Sequence, residues 1–300
     1  VTLPLVLPVA PDAVAPAARR DGVRRRLLAT PTVRAALGVL GALALVLVVA
    51  PLVWPYAPHE QLDLATMSLA RPSVAHPLGT DAVARDVLAR LLAGGRLSLA
   101  IGLASVTLST CLGTAWGMAA GLGGPRTDAL LMRVVDAGLA VPRVLVLLVV
   151  LALRETPSVP LLVGAIAATG WFTLARLVRG EVRRLRRSDW IVAARALGVP
   201  STRIALRHLL PHVAGPVLVT AALGVGHVIV LEAGLSWLGI GVQPPGASWG
   251  NIIRDGTDVL QGAPWISLAP GACLVVVVLC CSLLADGLRD ALAGRDLPRP

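Results

Sequence analysis

Apolar positions in this chain run on for most of twenty residues at a time, and the segments between the runs are crowded with arginine, proline and glycine. Crossing a hydrocarbon layer of about 30 Å takes about 20 mostly apolar residues in a helix. Six stretches meet that requirement. The first, Ala35–Val53, stops at Trp54-Pro55-Tyr56, and the second lies within Leu97–Gly124, free of charge between Arg96 and Arg126. The third, Val134–Leu153, carries Asp136 and Arg143; Val159–Ala175, Val213–Leu235 and Trp265–Ala285 complete the set. The segment before the first run is too long, and its cleavage site too weak, for a signal peptide, so this run reads as a retained anchor. The pattern predicts an all-α integral membrane protein with six transmembrane helices.

Composition agrees: of 300 residues, 56% are hydrophobic and 15% charged, against about 45–50% and about 25% in soluble domains. That makes a soluble enzyme improbable. All 27 basic residues are arginine, and lysine is absent. The GxxxxGK[ST] phosphate loop and any Schiff-base lysine are thereby excluded, so energy from ATP has to be supplied by another chain. A pI of 11.2 raises nucleic acid as a partner. That would call for a basic face interleaved with stacking aromatics, whereas here the arginines alternate with apolar runs. Cys111, Cys273, Cys280 and Cys281 all fall inside those runs, without a CxxC pair or a His cluster, and read as small buried apolar residues.

Arginine also sets the predicted orientation, because cytoplasmic loops retain positive charge. With the N-terminus inside, twenty arginines are cytoplasmic, six (Arg71, Arg85, Arg90, Arg96, Arg154, Arg254) are external, and Arg143 is within a span. Both termini are then cytoplasmic. The predicted organisation is a leader over residues 1–34, a first helix over 35–53, an external loop over 54–96, a core over 97–290 and a tail over 291–300. The core includes a cytoplasmic loop, 176–212, and an external loop, 236–264, whose Gly, Pro and Trp237, Trp249 and Trp265 suit a segment folded on the membrane surface. Residues 1–18, rich in Val, Ala and Pro, read as a disordered leader.

The loop 176–212 carries the sharpest signal. Ser188 or Asp189 can cap a short helix over Trp190–Leu197, which Gly198 and Pro200 stop; Ser201 caps a second helix expected to end before Pro211. Ala193, Ala194 and Leu197 share one face of the first helix, and the alanines leave room for close approach of a partner. The second presents Ile204 with Leu206, Leu209 and Leu210.

These residues resemble the EAA loop of ABC-importer permeases: Glu-Ala-Ala, three residues, Gly, nine residues, Ile, any residue, Leu-Pro. Ala193-Ala194, Gly198 and Leu210-Pro211 keep every spacing, while Val192 stands in place of the Glu and His208 in place of the Ile. Two further segments, His76–Asp81 with Arg85–Leu92 and Gly95–Leu99, and Leu235–Pro245 with Ser248–Asn251, are similar to loops of the dipeptide, oligopeptide and nickel branch. In that branch a Gly usually precedes the Arg-Asp pair, where this chain has Ala84. The short N-terminal flank, single span and long external loop are those of its C-type permease. The resemblance implies import of dipeptides or oligopeptides, with nickel or another small ligand as the alternative cargo. It also implies a homologous second permease, two ATPase subunits that hold ATP and Mg, and an external solute-binding protein. Val192, Ala193, Ala194, Leu197, Gly198, His208, Leu210 and Pro211 would form the ATPase-coupling loop, with Gly198 supplying its turn and Pro211 the break before the span.

Asp136, Arg143, His227 and Glu232 lie at membrane depth, where a lone charge costs at least about 2.5–3.5 kcal/mol, so each has to face protein or water. They are candidates for the translocation path or for structural pairing. Asp136 and Arg143, seven apart, share a helical face unless Pro142 kinks it. His227 and Glu232, five apart, do not, and no metal site is assigned to them. His59 and His76 read as loop histidines. No catalytic arrangement of Ser/His/Asp or paired carboxylates stands out. A secondary transporter, the remote alternative, would be expected to show inverted repeats and paired broken helices, and neither is visible in the sequence.

Overall fold

A computed structural model describes residues 22, 25–154 and 156–293. Most of the expected leader and the end of the tail lie outside these. The order of elements is α1 (Pro31–Val53), α2 (Leu64–Met67), α3 (Val87–Leu122), α4 (Pro125–Ala140), α5 (Arg143–Ala152), α6 (Val159–Gly170), α7 (Phe172–Leu185), α8 (Asp189–Ala196), α9 (Ser201–Arg203), a π-helical turn (Ile204–Leu209), α10 (Leu210–Trp237), α11 (Trp249–Thr257) and α12 (Trp265–Ala293). No strand occurs among the described residues. Four helical segments are long and apolar enough to cross a membrane: α1, α3, the run Ser201–Trp237 and α12. The count reaches six when the bent pairs α4–α5 and α6–α7 are each one span.

The bends correct the two middle spans. Instead of a straight helix over Val134–Leu153, the chain turns by 80° between α4 and α5, because Pro142 cannot donate to the preceding turn and holds Val141 extended. Instead of ending at Ala175, the fourth helical run bends by 40° at Trp171 and continues to Leu185. The second span begins ten residues before the expected boundary at Leu97, at Val87, where the Asp86 carboxylate accepts from the Ala89 N–H at 2.6 Å. Arg90 and Arg96, counted as external loop, are helical. The expected loop over 236–264 contains α11, and its Trp249 is fully buried. Cys280 and Cys281 are buried as expected, Cys273 partly so, but Cys111 is exposed on α3.

The helix expected to stop before Pro211 continues through it. Ser201–Trp237 is one helical run, in which the Leu210 N–H reaches back five residues to the Ala205 carbonyl. A wider π turn accommodates a ring that a regular α turn would push against the carbonyl four residues earlier.

Two ends result. One carries residues 54–86 and 236–264; the other carries the α3–α4 turn and the helix-turn-helix of α8, α9 and the π turn. Between them the long α3 packs against α7 along an edge of glycines. A Cβ on Gly113 would lie 2.8 Å from the Trp171 carbonyl oxygen, one on Gly117 would lie 2.5 Å from that of Ala175, and one on Gly121 would meet Val182 at 2.7 Å. Higher on α3, Gly102 takes Ile229 of α10 and Gly95 takes Leu47 of α1 in the same way, at 2.6 and 2.7 Å. Small residues on one edge let helix backbones approach closely, which is where packing energy lies when lipid removes the hydrophobic drive. One apolar cluster then runs without interruption from Met118, Val178 and Val182 through Ile191 of α8, Ile204 and Leu209 of the π turn, to Val213 and Val217 of α10.

The glycine edge yields a direct test. Gly117→Ala forces the α3–α7 backbones apart and is expected to cost about 1–3 kcal/mol, the usual range for overpacking. Gly164→Ala on α6, where a Cβ meets nothing within 4 Å, is expected to be neutral or stabilising by up to about 1 kcal/mol. Thermal melting of both variants in detergent checks the contrast, and equal melting points would contradict it.

Candidate functional site

The helix-turn-helix is shaped by its sequence. Ser188 precedes α8, Asp189 stands in its first turn, and Gly198 closes it at φ +77°, a left-handed conformation that favours glycine. Ile191 is fully buried, so the opposite face of α8 is the free one. There Val192, Ala193 and Leu197 are exposed, Leu197 at 84%, with Leu206 of the π turn at 67%. Ala194, His208 and Leu210 are half-buried and Pro211 is exposed. Ile204 and Leu209, expected on the presented face, point inward instead. His208, at the position of the motif Ile, lies 6.2 Å from the Trp190 ring, which stacks at 5.0 Å on His212. The loop thus shows a bare apolar face while its other side is welded to α7 and α10.

The four ionisable residues of the spans do not come together. Asp136 accepts from the Arg176 guanidinium at 2.7 Å, and both side chains are more than half exposed on the surface of the chain. Arg143 lies beyond the Pro142 bend, where its Nη2 donates to the Ile166 carbonyl at 2.8 Å and its Nε to the Thr169 hydroxyl at 3.1 Å. Asp136 and Arg143 therefore do not pair, since the 80° turn at Pro142 separates their faces. Arg143 also borders an apolar cavity of about 350 Å³ between α5 and α6. His227 is exposed on α10. Glu232 is 0% exposed: it accepts from Ser98 of α3 at 2.8 Å and from Ser236 at 2.7 Å. Ser98 accepts in turn from the Trp249 backbone N–H at 3.3 Å, and Ser236 from that of Val242 at 3.0 Å. Glu232 is thus a staple joining α3, α10 and the α10–α11 connection. Ser98, not singled out beforehand, belongs to it, as does the backbone of Trp249, which was expected on the membrane surface; a serine inside the run Leu97–Gly124 was the available signal.

A second polar assembly closes the same end. Buried Arg90 donates to Asp81 at 2.6 Å and to Asp255 at 2.8 Å, and Arg85 donates to the same two carboxylates at 2.8 and 3.2 Å. Beside it, Asp86 accepts from the Trp54 indole at 3.2 Å and meets the His76 Nδ1 at 2.7 Å. His76 is therefore a buried partner rather than a free loop histidine. Ala84, where the resembling branch usually has Gly, has φ +58°. The left-handed conformation costs a residue with a Cβ about 1–2 kcal/mol, and the fully buried methyl offsets about 0.8 kcal/mol of it. Among the described residues no three His, Cys, Asp or Glu side chains cluster as a metal site would require.

A multi-pass helical membrane protein, with a buried polar staple at one end and a helix-turn-helix at the other, is the class that this architecture defines. Residues 113–295 match the family described as binding-protein-dependent transport system inner membrane component, and the chain belongs to that family. It is 40% identical over 287 residues to the oligopeptide transport system permease protein OppC of Mycobacterium tuberculosis, covering 94% of this chain and 98% of that one. A protein of Brucella suis biovar 1 named as a peptide permease is 42% identical over 247 residues, 82% of this chain and 81% of the relative. OppC of Haemophilus influenzae is 36% identical over 275 residues, 91% and 88% of the two chains.

Truncating the staple separates its hydrogen bonds from its charge. Glu232→Ala strands the Ser98 and Ser236 hydroxyls and is expected to cost about 1–3 kcal/mol. Glu232→Gln keeps an acceptor of the same shape, and the hydroxyls can turn to meet the amide, so its loss should be the smaller. Detergent melting points of the two variants decide it: equal losses would show that the hydrogen bonds are not what matters.

Proposed function

We propose that this chain is the membrane-spanning permease of an ATP-driven importer that carries dipeptides or oligopeptides across the cytoplasmic membrane of a prokaryote. The bare apolar face of α8 and the π turn, on a loop packed rigidly between two spans, is the observation that carries the reading. Such a face outside the hydrocarbon needs a protein to cover it. An ATPase subunit supplies the cover, and the match of Ala193-Ala194, Gly198 and Leu210-Pro211 to the EAA spacing supports that partner. Val192, Ala193, Ala194, Leu197, Gly198, His208, Leu210 and Pro211 form the coupling surface in this reading, with the π turn rather than a break at Pro211 joining it to α10. Both termini and this loop are cytoplasmic, and residues 54–86 and 236–264 face the solute-binding protein.

The mechanism is mechanical. ATP and Mg are held by two partner ATPase subunits, whose closure moves α8; the apolar cluster passes that movement to α7 and α10 as a rigid body. Ligand-loaded binding protein biases the same equilibrium from the other side. A homologous second permease completes the pathway, with Asp136, Arg143 and His227 as its candidate ionisable side chains in this chain. Peptide as cargo is supported by the names of the relatives, which cover 94% and 82% of the chain.

Uptake of a labelled peptide by the complete complex, with nickel as the competing cargo, tests the reading. Peptide uptake that requires ATP and the binding protein is expected; uptake of nickel alone would overturn the cargo. Ala194→Arg should abolish uptake while leaving the permease in the membrane, and normal transport by that variant would overturn the coupling surface.

A further inference from the structure

We infer that the chain holds a binding site for a phosphate group at the helix-turn-helix end, in the cleft between the α3–α4 turn, the end of α7 and α8. The cleft has a volume of about 480 Å³, and Arg183, Arg186, Arg187 and Arg195 all line it. Asp128 is the acidic residue in its wall, and that carboxylate is already taken: Arg179 grips it at 2.5 and 2.6 Å and Arg183 adds a third contact at 3.0 Å. Arg186 is fixed by the Gly121 and Gly123 carbonyls, at 2.7 and 3.1 Å. Burial first, then the charges of Arg195 and Arg183, disfavour its protonated form. Arg187 and Arg195 have neither a side-chain hydrogen bond nor an ion pair among the described residues, yet both face the cleft.

Two guanidinium groups without partners, held close to two others, form an arrangement that repels itself when empty. The planar fork of arginine matches phosphate oxygens two at a time, and several forks converging on one cleft suit a compact anion better than an extended one. The floor, residues 123–125, is the turn where α3 ends. With 36 residues, α3 is about 54 Å long, well beyond the hydrocarbon thickness of about 30 Å. Even the stretch after its last charge, Leu97–Leu122, spans about 39 Å, so its last turns reach the level of the lipid headgroups or past it. A phospholipid headgroup and a soluble phosphate share the chemistry that this cleft recognises. The site does not depend on the cargo; only its assignment to the cytoplasmic face rests on the orientation proposed above.

The full-length chain, purified in neutral detergent, provides the test. Melting is followed while phosphatidylglycerol, phosphatidylcholine or inorganic phosphate is added, for the native chain, for the double variant Arg187→Gln/Arg195→Gln, and for Arg289→Gln as a control at an exposed arginine elsewhere. A saturable rise with at least one anionic probe is expected, with its half-saturating concentration raised about tenfold or more in the double variant and unchanged in the control. A response to phosphatidylglycerol alone identifies a headgroup site, and a response to inorganic phosphate identifies a soluble one. No saturable response, an unchanged response in the double variant, or an equal loss in Arg289→Gln would overturn the site.

Discussion

The rest of the structure depends on the close approach of α3 to α7. Three glycines spaced by four residues, Gly113, Gly117 and Gly121, remove the α3 side chains at these positions, so that its backbone lies directly against the Trp171 and Ala175 carbonyls and the Leu174, Val178 and Val182 side chains. In lipid this matters more than it would in water, because apolar side chains gain little by leaving hydrocarbon for protein, and dense packing is what remains to hold helices together. Since α7 continues past the expected end of its span, the crossing also fixes how its last turn enters the helix-turn-helix. From there Ile191, Ile204 and Leu209 extend the same apolar contact into the helix-turn-helix. The loop has no core of its own and borrows one from the spans, so that loop and spans form one packed unit.

The two ends of the bundle are built on opposite principles. At the end formed by residues 54–86 and 236–264, the buried charged groups are answered: Arg90 by Asp81 and Asp255, Asp86 by Trp54 and His76, Glu232 by Ser98 and Ser236. Removing one member of such a set strands the others, so the arrangement specifies one geometry more firmly than apolar packing does. At the opposite end Leu197 and Leu206 are bare, and Arg187 and Arg195 have no side-chain partner among the described residues. The closed end thus keeps its shape through its own contacts, while the open end leaves apolar and charged groups for other contacts to complete.

The long apolar runs were legible because lipid imposes a minimum length that no loop imitates. Their boundaries were less so, for reasons that particular residues make clear. Treating arginine as the end of a span placed Arg90 and Arg96 outside a helix that contains both; Arg90 is neutralised by Asp255, 165 residues away, which no local pattern reveals. The bend at Trp171 has no proline to announce it. Pro142 did announce its kink, and the kink decided that Asp136 and Arg143 would not meet. The helix-turn-helix could be read from Gly198 and the alanines, but the π turn that carries the helix through Pro211 is a compromise between a missing N–H and a continuous helix, which sequence spacing does not distinguish from a break.

The ionisable residues of the spans now divide by what surrounds them. Glu232 is sealed and Arg143 is satisfied by a carbonyl and a hydroxyl. Asp136, its partner Arg176 and His227 remain at the surface of the chain. A charge in hydrocarbon costs at least about 2.5–3.5 kcal/mol, and an exposed ion pair recovers about 1 kcal/mol at most. Lipid therefore cannot be what covers Asp136 and Arg176 wherever they stand at hydrocarbon depth. The apolar faces of α1 and α12, with Leu45, Val48, Leu52, Val275 and Leu279 exposed, carry no such restriction and suit lipid directly. Charge alone thus distinguishes the surface that has to meet protein or water from the surface that can meet the bilayer. The first contains Asp136 of α4 and Arg176 at the start of α7.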